Sequence, residues 1–139
     1  MTQQEIRLVQ ESVEKILPQT REMGDLLYQR LFEIAPEVKS LFKTDIATQS
    51  RKLMSILVHI IANLDQLDKL SEEFKDLASK HHDYQITPEH YRFLKSAFLW
   101  TLEQKLSNWS IDLENAWRVA YDTLVGAMIT QQEAMAQQK

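Results

Sequence analysis

His81 stands out among the residues of this chain that could carry chemistry. It follows Phe74 and Leu77 at the i, i+3 and i+7 spacing that places side chains on one face of a helix. An imidazole on an apolar face is a polar group directed at a core, where it needs a hydrogen-bond partner or a metal. The pattern leaves two interpretations open: a core histidine bonded to a nearby carbonyl, and a ligand to a metal centre.

Three upstream residues favour the second interpretation, since Tyr28, Phe42 and Gln49 precede His81 at spacings that fit a haem pocket. A buried haem needs a neutral imidazole on iron and an acceptor for the other ring nitrogen, and the carbonyl of Leu77 could serve. It also needs apolar walls and a polar rim. Candidate wall residues are Phe42, Leu53, Leu57, Ile86, Leu94 and Phe98, and candidate rim residues are Arg51, Lys52, His82 and His90. An apolar stripe of this kind is also what an ordinary core shows.

Composition restricts the chemistry further. The chain has 139 residues, enough for one domain (1–139) with a real core. It has no cysteine, which excludes disulfides, thiolate metal sites and covalent c-type haem attachment, and which fits a reducing cytoplasm. Any haem would therefore be held without thioether bonds to the chain. The formal net charge of −4 argues against a nucleic-acid partner.

Targeting and membrane signals are weak. The start, Met1 to Glu5, lacks the basic and then apolar order of a signal peptide. The most apolar stretch, 53–64, is too short to span a bilayer and carries His59 and Asn63. A cytoplasmic protein without a membrane span is therefore expected.

An all-α fold follows from two glycines, three prolines and abundant helix-forming residues. Helix punctuation predicts about seven segments, near 2–17, 18–34, 36–41, 46–64, 71–82, 87–106 and 111–132, with a polar tail at 131–139 that should fray. Expected N-caps are Thr2 with Glu5 as a capping box, Asp45 or Thr44, and Thr87 before Pro88. Gly24, inside the second segment, suggests a close helix crossing.

Several segments resemble the globin family. The segment 33–42, EIAPEVKSLF, resembles the connection from the second globin helix into the third, and 49–54 resembles the start of the distal helix. The segment 77–86 resembles the proximal helix and the turn after it, and Ala116-Trp117 resembles the start of the last helix. The similarity covers nearly the whole chain and is greatest to bacterial single-domain haemoglobins, related to flavohaemoglobins, and to the wider set that includes nerve globins. It implies the three-over-three helical sandwich.

The resemblance implies a role for each site residue. His81 would be the proximal iron ligand, Phe42 would wedge against the porphyrin, and Gln49 would take the distal position with Leu53 crowding the ligand. Tyr28 would direct its hydroxyl at bound gas. Two donors, each worth about 1.5–3 kcal/mol to a charged acceptor, predict high dioxygen affinity and slow release from a five-coordinate ferrous iron. Nitric oxide and carbon monoxide are further expected ligands.

Other interpretations of the distal residues remain open. Tyr28 could be a core tyrosine bonded to a carbonyl, and Gln49 could be solvated. A one-residue slip of the alignment would put Thr48 in the distal position. The sixth ligand of ferric iron could be water, Tyr28, Gln49 or Lys52.

The proximal side departs from the flavohaemoglobin pattern. Where that group usually has Tyr-Gly-Val after the proximal histidine, this chain has 84–86, Tyr-Gln-Ile. That group also bonds the imidazole through a Tyr and a Glu. Tyr91 fits the position of that Tyr. The position of that Glu falls near Gln132 in this chain, and Glu133 lies one residue away. A neutral amide would push less electron density to iron, so strong peroxidase chemistry is not expected.

Three functions compete at this stage. The first is reversible dioxygen binding by a haem b globin. The second is nitric oxide dioxygenase or nitrite reductase activity, which would need an external reductase because the chain has no room for a flavin domain. The third is a haem-free interaction module, against which His81 and Phe42 argue.

Overall fold

A computed structural model describes residues 1–42, 45–83 and 87–137, with side chains in those ranges apart from 68, 71, 80–83 and 135–137. The described residues form six α-helices and no strand. They are α1 (Gln3–Ile16), α2 (Thr20–Ile34), α3 (Ile46–Ala62), α4 (Ser71–Asp83), α5 (Pro88–Lys105) and α6 (Ile111–Gln137). Short 3₁₀ helices occupy Leu17–Gln19, Pro36–Leu41 and Leu64–Leu70. The all-α prediction is confirmed, with the third predicted segment being 3₁₀ rather than α.

The predicted helix starts are capped as expected. Thr2 Oγ1 accepts the Glu5 amide at 3.1 Å, and the Glu5 carboxylate accepts the Thr2 amide at 2.7 Å. Asp45 Oδ1 accepts the Thr48 amide at 2.9 Å, so Asp45 is the cap of α3. Thr87 caps α5, with Pro88 in the first helical position. Each cap satisfies amides that the first helical turn would leave unpaired.

The helices pack against one another pairwise, with α5–α6 and α1–α3 contacts among the smaller ones. α2 packs on both α5 and α3, whereas α4 and α1 pack on α6. The α1–α6 contact contains a buried polar link, in which Trp117 Nε1 donates to Ser12 Oγ at 2.9 Å. Ser12 Oγ in turn donates to the Val9 carbonyl at 2.7 Å. Both buried polar groups are thereby satisfied, as burial requires.

Gly24 lies at the crossing of α2 and α3. A Cβ atom built on Gly24 would overlap Ser50 Oγ and would lie 3.3 Å from Ser50 Cβ and 3.4 Å from Met54 Cγ. The close helix crossing predicted from this glycine is confirmed. It fixes α2 against α3 one turn before Tyr28 and directly beside Gln49.

Gly24→Ala is expected to lower the free energy of unfolding, because overlap with Ser50 outweighs a gain of about 1 kcal/mol in helix propensity. Gly126→Ala on α6 is the matched control, since a Cβ there meets nothing within 4 Å. That control should stabilise the protein. Urea unfolding of both variants measures the difference, and equal stabilisation by both would contradict the packing argument.

No helix among the described residues is long and apolar enough to cross a membrane.

Candidate functional site

Half-buried apolar side chains lie on α3, α4 and α5. Leu53 and Leu57 on α3, Leu77 on α4 and Leu94 on α5 each keep accessible surface, although all pack against the core. Met54, Ile60 and Ile61, on the same α3 helix, are buried. Apolar residues that face a core without being sealed by it are suited to line a cleft for a flat apolar group. α3 and α4 can border such a cleft because each packs on a different neighbour.

Tyr28 on α2 and Gln49 on α3 meet where these two helices pack together. The Tyr28 side chain is 3 % exposed, and its hydroxyl is hydrogen-bonded to the Gln49 side chain. Burial raises the pKa of Tyr28 to about 12, against a smaller opposing effect of the Gln49 hydrogen bond. The phenol therefore keeps its proton at any physiological pH. Its hydrogen-bond partner is the Gln49 side chain.

The neighbouring Thr48 is engaged elsewhere. Its hydroxyl donates to Asp45 Oδ2 at 2.7 Å, at the start of α3. Gln49 rather than Thr48 is therefore the partner of Tyr28, and its position opposite a bound ligand stays a prediction.

An aromatic cluster surrounds the Tyr28 ring. Phe42 stands edge-on to it, with ring centroids 5.4 Å apart and an interplanar angle of 83°. Phe32 lies 6.0 Å from Tyr28 and 5.9 Å from Phe42. Such edge-to-face contacts fix the ring and hence the hydroxyl. Sequence reasoning did not single out Phe32, although its position four residues after Tyr28 on α2 was a usable signal.

α4, which packs on α6, carries the residues predicted for the proximal side of the site. Phe74 and Ala78 are buried on this helix, and its backbone continues through position 81. The His81 and His82 side chains lie outside the described residues, as does Ile86. The role of His81 as iron ligand therefore stays a prediction.

A second pair of side chains joins α5 to α6. The Tyr91 hydroxyl donates to Gln132 Oε1 at 2.6 Å, so the partner is Gln132, while Glu133 is exposed. Burial raises the pKa of Tyr91 to about 12. The Tyr121 hydroxyl donates to the Tyr91 carbonyl at 2.6 Å. Sequence reasoning missed Tyr121, whose signal was its place four residues after Trp117 on the same face of α6.

Phe98, on α5, is buried and packs against α6. Its ring is edge-on to Trp117 at 5.4 Å and tilted against Tyr121 at 6.2 Å. This candidate wall residue thus contacts the α6 core.

The candidate rim residues lie in different environments. Lys52 and Arg51 are exposed beside Gln49. His90 belongs to the α5 cap, since its Nδ1 accepts the Thr87 amide at 3.0 Å. His59, expected at the surface or against another helix, is exposed with Nε2 3.0 Å from Glu73 Oε2 on α4. A surface groove of about 780 Å³ also runs along the α2–α3 crossing, but neither Tyr28 nor Gln49 lines it.

Acid is expected to loosen the start of α3 through Asp45. Hydrogen bonds from the hydroxyl and amide of Thr48 hold the pKa of Asp45 below its ordinary value of 3.8. A carboxyl whose pKa is lowered by folding contributes stability that is complete above the ordinary value and is lost as the pH falls through the lowered one. Gln49, in the same turn, should loosen with it.

Hydrogen-exchange protection of the Thr48 and Gln49 amides, measured between about pH 2 and pH 5, tests this expectation. Asp45→Asn is the matched control, because an amide oxygen still caps the helix but does not titrate in this range. An equal loss of protection in the control would assign the effect to another group.

Comparison with known proteins gives one consistent family. The globin family model matches residues 25–128. The chain is 31% identical over 152 aligned positions to an anaerobic nitrite reductase of Gossypium hirsutum, covering 98% of this chain and 93% of that protein. It is 27% identical over 138 residues to a globin-like protein of Aquifex aeolicus, covering 99% of each.

Longer relatives and solved structures agree with this result. A flavohaemoprotein of Vibrio cholerae is 26% identical over 97% of this chain, but the chain spans only 35% of its length. The structure of a bacterial globin from Campylobacter jejuni superposes with a TM-score of 0.89 at 20% identity, covering 98% of this chain and 99% of that one. The likeness to that structure concerns the fold alone.

Proposed function

Because the chain belongs to the globin family, we propose that it holds a non-covalent haem b in the cleft between α3, α4 and α5 and binds dioxygen reversibly there. The observation that carries the proposal is the buried Tyr28 hydroxyl bonded to Gln49. Two neutral donors are thereby held together at the distal side of the cleft.

The described side chains suit a haem. Half-buried Leu53, Leu57, Leu77 and Leu94 would offer apolar walls, and Phe42, which packs edge-on to Tyr28, would wedge against the porphyrin. When bound, haem supplies a ferrous iron that takes a diatomic gas on its distal side. His81 is the proposed proximal ligand, on the strength of its sequence spacing from Phe74 and Leu77 and of the family resemblance.

Tyr28 and Gln49 would confer slow release. The phenol donates without losing its proton, because its pKa is about 12. The Gln49 amide has two N–H donors, so it can engage Tyr28 and a ligand together. A ligand that gathers negative charge accepts these bonds strongly, whereas carbon monoxide, being less polar, gains less. Leu53 would limit the space at the same position.

Absorption spectroscopy tests the proposal. Purified protein is titrated with haemin, reduced with dithionite and exposed to air. Stoichiometric uptake, a five-coordinate ferrous spectrum and an oxygenated spectrum that persists would support dioxygen binding. Failure to take up haemin would overturn it and leave a helical interaction module. A cytoplasmic location remains a prediction from the cysteine-free composition.

Reduction of nitrite is the second candidate, with nitric oxide dioxygenation as a related activity. It is favoured by the near full-length similarity to the nitrite reductase of Gossypium hirsutum. We propose a reductase as the source of electrons for this activity. The chain spans about a third of the length of the flavohaemoprotein relative. The discriminating result is many turnovers per chain with a reductase present, because a single stoichiometric reaction would fit a binding protein equally well.

Strong peroxidase chemistry is not part of the proposal. Tyr91 donates to the neutral amide of Gln132 and not to a carboxylate. A neutral acceptor polarises the phenol less, so Tyr91 would in turn draw less proton density from a proximal imidazole.

A further inference from the structure

α3 presents a second face to the surface groove at its crossing with α2. The groove has a volume of about 780 Å³. Its α3 side is one face of the helix over about three turns, or about 16 Å, formed by positions 47, 50, 51, 54, 55 and 58. Leu53 and Leu57 lie on another face of the same helix and do not line the groove. The groove is therefore distinct from the proposed haem cleft.

The lining of the groove is partly apolar. Among the described residues, the large apolar side chains that are exposed are Met1, Leu17 and Ile111. Of these, Leu17 lines the groove, and Met54 and Val58 add apolar surface on α3. A concave surface of this volume, with apolar walls and a few polar groups, has the form of a small-molecule site.

Among the described residues, no carboxylate forms an ion pair with the two arginines on the rim of the groove. Arg21 and Asp25 have the i, i+4 spacing at which ion pairs form on a helix, but no pair joins them. Arg51 donates to the Thr48 hydroxyl at 3.4 Å and attracts the Asp45 carboxylate only from beyond ion-pair distance. An anion in the groove would supply the missing partner.

A second surface groove shows the opposite charge pattern. It lies along α1, has a volume of about 310 Å³, and is lined by Arg7 together with three carboxylates, those of Glu11, Glu14 and Asp65. The larger groove is lined by two arginines and one carboxylate, that of Asp25. In a chain with a net charge of −4, the larger groove is therefore a locally positive concave surface.

We propose that the larger groove binds an alkyl carboxylate, whose acid group is held by Arg21 and Arg51 and whose chain lies along Leu17, Met54 and Val58. Guanidinium groups bind carboxylates through strong, charge-assisted hydrogen bonds. The alkyl chain gains free energy by leaving water for the apolar part of the lining. This inference goes beyond the proposed function, because the groove does not depend on haem uptake.

Isothermal titration calorimetry of the full chain with decanoate, below its micelle concentration, tests the proposal. Haem is added first where the protein takes it up, so that the cleft does not compete for the ligand. One decanoate should bind per chain, with an affinity that falls as salt rises. Decanol and decyltrimethylammonium, which remove or reverse the charge, should bind about tenfold more weakly. Octanoate should also bind more weakly, by up to about fourfold for each missing methylene.

Five variants locate the ligand. Arg21→Gln and Arg51→Gln should each weaken binding about fivefold, the upper range for an exposed ion pair. Asp25→Asn should strengthen binding because it removes a like charge from the rim, whereas a structural disturbance would weaken it. Ser55→Trp should abolish binding by filling the groove from an exposed position. Arg7→Gln is the matched control and should leave the affinity unchanged.

The outcomes separate this inference from the proposed function. Absence of saturable binding, or equal affinity for decanol, overturns the proposal. Binding that persists in Ser55→Trp and in the double arginine variant places the carboxylate elsewhere and overturns it as well. A concentration-dependent dimer that Ser55→Trp disrupts would assign the groove to a second copy of the chain instead. A protein that takes up no haem but binds decanoate in the groove loses the proposed function and keeps this inference.

Discussion

Tyr28→Phe is expected to speed dioxygen release by about tenfold to a hundredfold, since a donor to a charged acceptor is worth about 1.5–3 kcal/mol. The substitution removes the hydroxyl that is hydrogen-bonded to Gln49. It keeps the ring, so the edge-to-face contact with Phe42 should survive. Stopped-flow mixing of the oxygenated protein with dithionite measures the rate.

Two controls separate hydrogen bonding from packing. Phe32→Leu disturbs the same aromatic cluster without removing a donor, so it should change the rate far less. Carbon monoxide release should respond weakly to Tyr28→Phe, because that ligand accepts hydrogen bonds poorly. Equal acceleration for both gases would indicate that the ring had moved, and an unchanged dioxygen rate would mean that the phenol does not donate to the ligand.

A third variant tests whether the two donors act together. Tyr28 and Gln49 are hydrogen-bonded to each other, so removing either one disturbs its partner. The effects of Tyr28→Phe and Gln49→Leu on the release rate should therefore not add. A strictly additive double variant would show that the two residues reach the ligand independently.

His81→Ala is expected to abolish stoichiometric haem retention. Loss of the proximal ligand leaves only apolar contacts and rim residues to hold haem. The measurement is the haem-to-protein ratio after gel filtration, followed by the ferrous spectrum. Added imidazole should restore part of the five-coordinate spectrum if the variant keeps its cleft.

His59→Ala is the matched histidine control. His59 is exposed and pairs with Glu73 on α4, away from Tyr28 and Gln49, so its loss should leave the haem ratio unchanged. Full haem retention by His81→Ala would place the iron ligand on another residue. Equal loss in both variants would indicate general destabilisation of the α3–α4 pair.

Local sequence signals predicted the helices well. The caps at Thr2, Asp45 and Thr87 and the constraint at Gly24 depend on residues within one turn or on the absence of a side chain, and all four are found as expected. The 3₁₀ geometry of Pro36–Leu41 was not predictable, because short α-helices and 3₁₀ helices begin and end with the same residue types. The 3₁₀ helix at Leu64–Leu70 was missed for a related reason.

Side-chain partners were harder to predict. The bonds from Tyr28 to Gln49 and from Tyr91 to Gln132 span 21 and 41 positions and depend on how whole helices cross. Family resemblance suggested which residues meet, but not which atoms bond. For His90 a local contact replaced the expected long-range one. Its side chain, a candidate for the cofactor rim, accepts the Thr87 amide in the cap of α5.

The Gly24–Ser50 contact has a consequence for how the ligand affinity of this protein could be adjusted. The contact limits how closely α2 and α3, which carry Tyr28 and Gln49, approach each other, and neither Gly24 nor Ser50 is one of the proposed donors. The side-chain volumes at positions 24 and 50 therefore influence the distance between the two proposed donors, Tyr28 and Gln49. A larger residue at the crossing would push α3 outward and lengthen the Tyr28–Gln49 bond. Under the proposed function, such substitutions would accelerate gas release in small steps while Tyr28 and Gln49 themselves stayed unchanged.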